Sequence, residues 1–234
     1  MTYTHVVFVG HHKERLMESI TGFRKFPIHR VTLVIGDDDS TGERISKKVA
    51  NSVRKELARL FEVSIVRVDK RDIMKAASQV VDLVEKERET GYECILNMSG
   101  SLRTFAIAAY IAGCLTQCPM ITSIPRYDEE DREVGVEEII ELPPVPVHFP
   151  KKDQAELLDA IAESSGYLED LIVGLSPEVK DMPDEFAKER SRLAHHLKKI
   201  EEMGFVTREK IGKNVMFTLS PLGKIIRKVR GGLG

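Results

Sequence analysis

The sequence predicts an α/β chain in two parts: a mostly parallel sheet covered by helices on both faces, then a smaller winged helix-turn-helix. Three observations carry this. Short apolar runs alternate with amphipathic stretches through residues 1–142. Proline crowds residues 143–150. Beyond residue 150, helical patterns lead into two short β-prone runs joined by a basic turn. Alternation of strand and helix implies parallel strands joined by crossover helices.

Val6-Val7-Phe8-Val9 is a continuous apolar run ending at Gly10, which reads as a buried parallel strand. Residues 13–23 follow as a helix. Residues 30–35 form a second strand, stopped by Gly36-Asp37-Asp38-Asp39-Ser40. Residues 41–61 read as a long helix with Ile45, Val49, Val53, Leu57 and Leu60 inward. Residues 63–68 are a third strand. Residues 72–88 are a third helix, with Ile73, Ala77, Val80, Val81 and Val84 inward. Cys94-Ile95-Leu96 is a fourth strand, and residues 105–115 continue as a helix. Residues 120–124 and 137–142 complete a Rossmann-like sheet. In such sheets ligands bind beyond the carboxyl ends of the strands. Gly10-His11-His12, Gly36-Asp37 and Ser99-Gly100-Ser101 all fall at such ends.

Pro143, Pro144, Pro146 and Pro150 forbid a helix and disfavour a central strand, so residues 143–150 read as an extended, semi-rigid linker. The predicted domains are therefore 1–142 and 151–234. In the second, helices are expected over residues 153–164, 167–173 and 185–203, the last stopped by Gly204. Residues 205–208 and 215–219 form a hairpin, and a final helix starts at Pro221. Three helices and a hairpin is the order of a winged helix-turn-helix, with the hairpin as the wing.

Of 234 residues, 42% are apolar and 31% charged, enough for real cores. No window approaches the ~18 consecutive apolar residues of a membrane span. The N-terminus enters a strand at once, without the basic leader of a secretory signal. Cys94, Cys114 and Cys118 show no metal-like spacing and read as core thiols. A cytoplasmic protein is expected. The net charge of −2 hides an asymmetry. Residues 1–150 carry 20 basic and 23 acidic side chains, residues 151–185 carry 3 and 10, and residues 186–234 carry 12 and 4. A basic end on an otherwise acidic chain suggests a polyanionic partner.

The stretch Asn97-Met98-Ser99-Gly100-Ser101-Leu102-Arg103-Thr104 links a strand to a helix. At a helix N-terminus the unpaired N–H groups and the positive dipole end favour an anion. Gly100 admits close backbone approach, Ser99 and Ser101 offer hydroxyls, and Arg103 adds a fixed cation. A plain strand-to-helix turn with serine caps would use the same residues. On the long helix of the second part, Phe186, Leu193, Leu197 and Ile200 lie on one stripe, and Lys188, Ser191, Arg192, His195, Lys198 and Lys199 face the other way. That is the layout of a recognition helix, with Lys188, Ser191, Arg192 and His195 as base-edge candidates and Lys199 beside them. Arg208, Lys210 and Lys213 on the wing would meet phosphates. A solvated face used for protein contacts is the alternative.

Other residues carry weaker signals. His11-His12 suits contact with a bound anion better than a metal, since no partner cluster accompanies it. Asp37-Asp38-Asp39 suits a divalent ion, a ribose hydroxyl, or a loop that caps the next helix. Gly10 opens no G-x-G-x-x-G run, so a dinucleotide cofactor is not expected.

The strand-end Asn97 to Thr104 motif, the proline-rich linker and the winged helix together resemble archaeal regulators of the CRISPR-associated Rossmann-fold (CARF) type, across essentially the whole chain. The resemblance implies a homodimer whose N-terminal domains share a pocket on the two-fold, binding a cyclic oligoadenylate second messenger. It places Gly10 and His11 in the first strand-end loop and Ser99, Gly100, Ser101 and Arg103 in the fourth. Many relatives carry a second glycine, a threonine and a lysine where this chain has Ser101, Leu102 and Arg103. It implies a ligand-responsive regulator that binds double-stranded DNA; from the residues themselves no resident cofactor or metal is expected. Cleavage of the cyclic nucleotide in the same pocket is the enzymatic alternative, with His11 or His12 the nearby base. A protein-interaction module is the third.

Overall fold

The computed structural model describes residues 2–145, 147, 149–164, 166–212 and 214–229. The chain divides into two compact units, residues 1–147 and 148–234.

The first unit holds β1 (Thr2–Phe8), α1 (Lys13–Gly22), β2 (Ile28–Gly36), α2 (Thr41–Leu57), β3 (Glu62–Val68), α3 (Ile73–Glu89), β4 (Tyr92–Asn97), α4 (Arg103–Thr116), β5 (Met120–Tyr127) and β6 (Glu133–Leu142). The sheet order is β3-β2-β1-β4-β5-β6. Neighbours from β3 to β5 pair in parallel, and β6 returns antiparallel to β5. The chain winds outward from β1 to β3, then crosses back to β4 on the other side of β1. The strand order therefore reverses between β1 and β4, the switch point at which crevices open in such sheets.

Burial explains the winding. Val7, Val9, Leu33 and Ile35 meet Leu16 and Ile20 of α1 and Ala50, Val53 and Leu57 of α2 in one core. On the other face α3 packs against α4. Phe8 meets Phe105 there at 6.0 Å between ring centroids. α2 and α3 start on side-chain caps: Ser40 Oγ accepts from the Glu43 N–H and Asp72 Oδ1 from the Lys75 N–H.

The inward stripe of α2 differs from the predicted one. Ile45 is 41% exposed and Leu60, beyond the helix, 73%. The buried stripe is Glu43, Ser46, Ala50, Val53 and Leu57. Glu43 tolerates burial because Oε1 accepts the Gly36 N–H at 2.8 Å and Oε2 accepts from Lys70 at 3.0 Å. β3 is half exposed rather than buried, because it is an edge strand.

Of residues 143–150, Pro146 and His148 lie outside the described residues. The first part is tied to α4: Tyr110 donates to the Pro143 carbonyl at 3.3 Å, and the Val145 N–H to Cys114 Sγ at 3.2 Å.

The second unit holds α5 (Lys152–Glu163), α6 (Leu168–Leu175), a short 3₁₀ turn (Pro177–Val179), α7 (Pro183–Glu202), the antiparallel pair β7 (Val206–Ile211) and β8 (Asn214–Leu219), and α8 (Pro221–Ile226). Its core joins Leu157, Ile161, Leu171, Leu193, Ile200 and Phe217. Gly204 follows α7 at φ +75°, the left-handed position that ends a helix cleanly.

Candidate functional site

In the first unit the loops after β1 and β4 meet at the switch point. They touch backbone to backbone: a Cβ on Gly10 would fall 1.8 Å from the Gly100 carbonyl oxygen. Gly100 is itself pressed against Leu16, whose Cδ2 would lie 2.4 Å from a Cβ there. α1, β1 and the β4 turn therefore meet at one point.

Asn97 builds that turn. It is fully buried; its Nδ2 donates to Ser19 Oγ at 3.0 Å, and its Oδ1 accepts the Ser99 N–H at 3.0 Å. The Ser101 N–H and hydroxyl both donate to the Met98 carbonyl, at 3.1 and 2.9 Å. Two expectations change as a result. Asn97 is buried and holds the turn, with both ends of its side-chain amide bonded inside the fold. The Ser99 and Ser101 amides are already used inside the turn, so a cradle made of them is not available. Neither serine caps α4: its N-cap is Leu102, with no side-chain cap.

What remains open is the start of α4. No acidic residue stands in its first turn. Leu102, Arg103 and Thr104 are exposed. The Arg103 side chain has no hydrogen bond or ion pair among the described residues. Ser99 Oγ is buried and likewise without a partner. His11 turns away from this group; its Nε2 lies 3.0 Å from the Gly42 carbonyl at the start of α2.

Two clusters in the first unit were not legible from the sequence. Glu133, at the start of β6, is nearly buried and faces two residues from the α1 start. Arg15 Nε lies 2.9 Å from its Oε1, and His12 Nδ1 lies 3.6 Å from its Oε2. More than a hundred residues separate these partners, so no local pattern pairs them. The second cluster surrounds Lys70, whose Nζ lies 2.8 Å from Asp38, 2.9 Å from Ser40 Oγ and 3.0 Å from Glu43. The Lys70 hydrogen bond, then that of Ser40, holds the Asp38 carboxyl far below the usual range. Lys47 likewise lowers Asp39. The acidic run thus closes on lysines of its own fold. No group of three or more His, Cys, Asp or Glu side chains converges on a metal position among the described residues. The three cysteines are buried and form no disulfide, and burial pushes the Cys94 and Cys118 thiols up.

On the second unit, Leu193, Leu197 and Ile200 are buried, while Lys188, Ser191, Arg192, His195 and Lys199 are exposed. The exposed cations are not all free. Lys188 donates to Glu185 at 2.8 Å. Arg192 is held by Glu189 through two hydrogen bonds, Nε at 2.9 Å and Nη2 at 2.6 Å. Ser191 Oγ is turned back to the Ala187 carbonyl at 3.1 Å. On the hairpin, Arg208 Nε lies 3.5 Å from Glu201, and Lys210 is exposed. Lys213 lies outside the described residues. No helix among the described residues is long and apolar enough to cross a membrane.

Comparison with known proteins adds the following. Residues 3–127 match the family profile described as "HFX_2341_N:-like, N-terminal". A protein of Archaeoglobus fulgidus, described as uncharacterized, is 23% identical over 226 residues, covering 96% of each chain. Among solved structures, Can2 from Sulfobacillus thermosulfidooxidans in complex with cyclic tetra-adenylate aligns at TM-score 0.44 and 15% identity, over 97% of this chain and 64% of that one. Csm6 from Enterococcus italicus, bound to cyclic hexa-2′-fluoro-hexa-dAMP, aligns at TM-score 0.42 and 14% identity, over 85% of this chain and 55% of that one. This chain thus spans less than two thirds of either solved protein.

Proposed function

The chain belongs to the "HFX_2341_N:-like, N-terminal" family through residues 3–127, and from that premise we propose that it is a ligand-responsive, dimeric DNA-binding transcription regulator of the CARF type, sensing a cyclic oligoadenylate or a similar nucleotide. The observation that carries the sensing half is the start of α4. A cation in the first turn opposes the helix dipole at about 0.3–1 kcal/mol, and a missing cap costs about 1 kcal/mol. Arg103, the uncapped Leu102 and the unpartnered Ser99 hydroxyl leave those costs uncompensated within the fold. A phosphodiester at the start of α4 would offset the cation and the missing cap at once.

Support for a dimer comes from apolar side chains left in solvent, Leu102 and Ile107 on α4 and Ile124 and Tyr127 on β5. A cyclic phosphodiester suits a pocket shared across a two-fold. Support for DNA binding comes from the order of three helices, a hairpin and a short helix, and from the exposed Lys199 and Lys210.

The test is titration of the purified chain with cyclic oligoadenylates of several sizes, with and without duplex DNA. Arg103→Ala is expected to weaken nucleotide binding at least tenfold, the loss of one charge-assisted contact of about 1.5–3 kcal/mol. An unchanged affinity in Arg103→Ala would sink the α4 site. A nucleotide affinity indifferent to DNA would sink the coupling between units.

One observation favours a second reading, cleavage of the same nucleotide. Glu133 faces Nδ1 of the half-exposed His12 and leaves Nε2 free of it, the arrangement of a base that takes a ribose 2′-hydroxyl proton. Labelled cyclic tetra-adenylate would then yield linear product, falling about a hundredfold or more in His12→Ala. Substrate that stays intact with the wild type rules the reading out.

A further inference from the structure

α7 carries as many acids as bases: Asp184, Glu185, Glu189, Glu201 and Glu202 against Lys188, Arg190, Arg192, Lys198 and Lys199. A helix meant to attract phosphates by charge alone would not be neutral. The pairings show where the charge goes. Besides the Lys188 and Arg192 pairs, Arg190 reaches Glu169 at 3.2 Å and Lys198 reaches Glu202 at 3.9 Å. Most are exposed i,i+3 or i,i+4 contacts, or surface pairs, of little weight.

Arg192 is different. Its partner Glu189 is largely buried, with a side-chain exposure of 15%. The Glu189 carboxylate accepts two hydrogen bonds from the guanidinium and a third from Ser176 Oγ at 3.2 Å. Asp153 of α5 closes the other side, 3.7 Å from Arg192 Nη1 and 3.8 Å from His196 Nε2. Two carboxylates from separate helices and a hydroxyl from the α6–3₁₀ junction thus hold one arginine down. A planar guanidinium held by two parallel bonds is preorganised and does not swing out freely.

We propose that Glu189 is a latch on Arg192, keeping the central arginine of α7 docked within its own unit so that it reaches a duplex only when released. This rests on the DNA-binding reading above. A phosphate or a guanine edge offers the fork what Glu189 offers, so exchange replaces one pair of hydrogen bonds with another and costs only the buried carboxylate left behind. Glu189→Gln removes the charge while keeping the shape, which makes release easier.

The experiment measures binding of the full chain to duplex DNA across a salt series, for wild type, Glu189→Gln, Ser176→Ala and the double variant Glu189→Gln/Arg192→Gln. Glu189→Gln is expected to bind at least about fivefold tighter, with the salt slope steeper by about 0.9, as neutralising one further phosphate requires. Ser176→Ala, which loosens the latch from its far side, moves the same way by less and guards against a Glu189 variant that fails to fold. The double variant loses the gain. Wild-type affinity and slope retained in both single variants overturn the latch and leave the DNA reading standing. A purely structural pin would lower the melting temperature of Glu189→Gln without tightening binding, and this too overturns the latch. No salt-dependent duplex binding by any variant overturns the latch and the DNA reading together.

Discussion

Mild acid is expected to destabilise the first unit, and a single buried residue, His5, contributes about 2–3 kcal/mol of the loss by pH 4.5. His5 sits mid-strand in β1, opposite Val31 on one side and Ile95 on the other. It is fully buried, with the Phe23 ring 6.5 Å away, and neither ring nitrogen has a partner among the described residues. Burial lowers its pKa from 6.5 to about 3. The folded state therefore holds His5 neutral, while the unfolded chain takes up a proton as soon as the pH drops below about 6.5. Stability is fully present above pH 6.5, falls as pH falls, and is lost in full near pH 3. At about 1.36 kcal/mol per pH unit, roughly 2–3 kcal/mol goes by pH 4.5 and about 4–5 kcal/mol by pH 3. Other groups titrate in this range, so the informative quantity is a difference. Hydrogen exchange of the β1 amides should show wild type losing stability between pH 7.5 and 4.5, and His5→Leu losing about 2–3 kcal/mol less. His5→Leu should also gain at neutral pH, since it removes two unsatisfied polar atoms without leaving a cavity. Equal losses in the two proteins would mean that His5 is reached by water or by a partner the fold does not show.

His5 also marks what could be read from the sequence. The first strand was legible from Val6 onward, where the residues are uniformly apolar. The strand in fact begins at Thr2, and the residue that sequence hydropathy excludes lies inside the core. The alternation of strand and helix and the positions of Gly10 and the Ser99 turn at strand ends were legible, because each depends on local spacing. The inward face of α2 was not. Ile45, Val49 and Val53 look like a stripe, but the buried stripe runs through Glu43 and Ser46, and only Gly36 and Lys70, from other elements, make a buried glutamate tolerable. The same limit hid Glu133 behind His12 and Asp153 behind Arg192. At the site itself, serine, glycine and serine before a helix suggested free amides. The competing local bonds to Asn97 and Met98 had already taken those of Ser99 and Ser101.

Gly10→Ala is expected to be the most damaging single-methyl change in the first unit, and its effect should appear in binding as well as in stability. The added Cβ would lie 1.8 Å from the Gly100 carbonyl oxygen and 3.0 Å from its carbon. Nothing flexible can yield there. Gly100 is backed by Leu16 and by the Phe8 carbonyl, and its turn is fixed by Asn97, itself locked to Ser19. The strain must be taken up by moving β1's end away from β4's, which opens the switch point and shifts the α4 start. Overpacking of this kind costs about 3 kcal/mol or more where no side chain can rotate away. Gly22→Ala is the fitting control in the same unit, because a Cβ there meets only the tip of Ile139 at 3.4 Å. Denaturant midpoints should therefore separate the two variants clearly, with Gly22→Ala near wild type and Gly10→Ala far below it. Where Gly10→Ala still folds, its nucleotide affinity should fall along with that of Arg103→Ala, since the methyl displaces the helix start to which Arg103 belongs. A Gly10→Ala protein of wild-type stability would show that the two loops do not touch, and without that touch nothing ties the end of β1 to the turn that leads into α4.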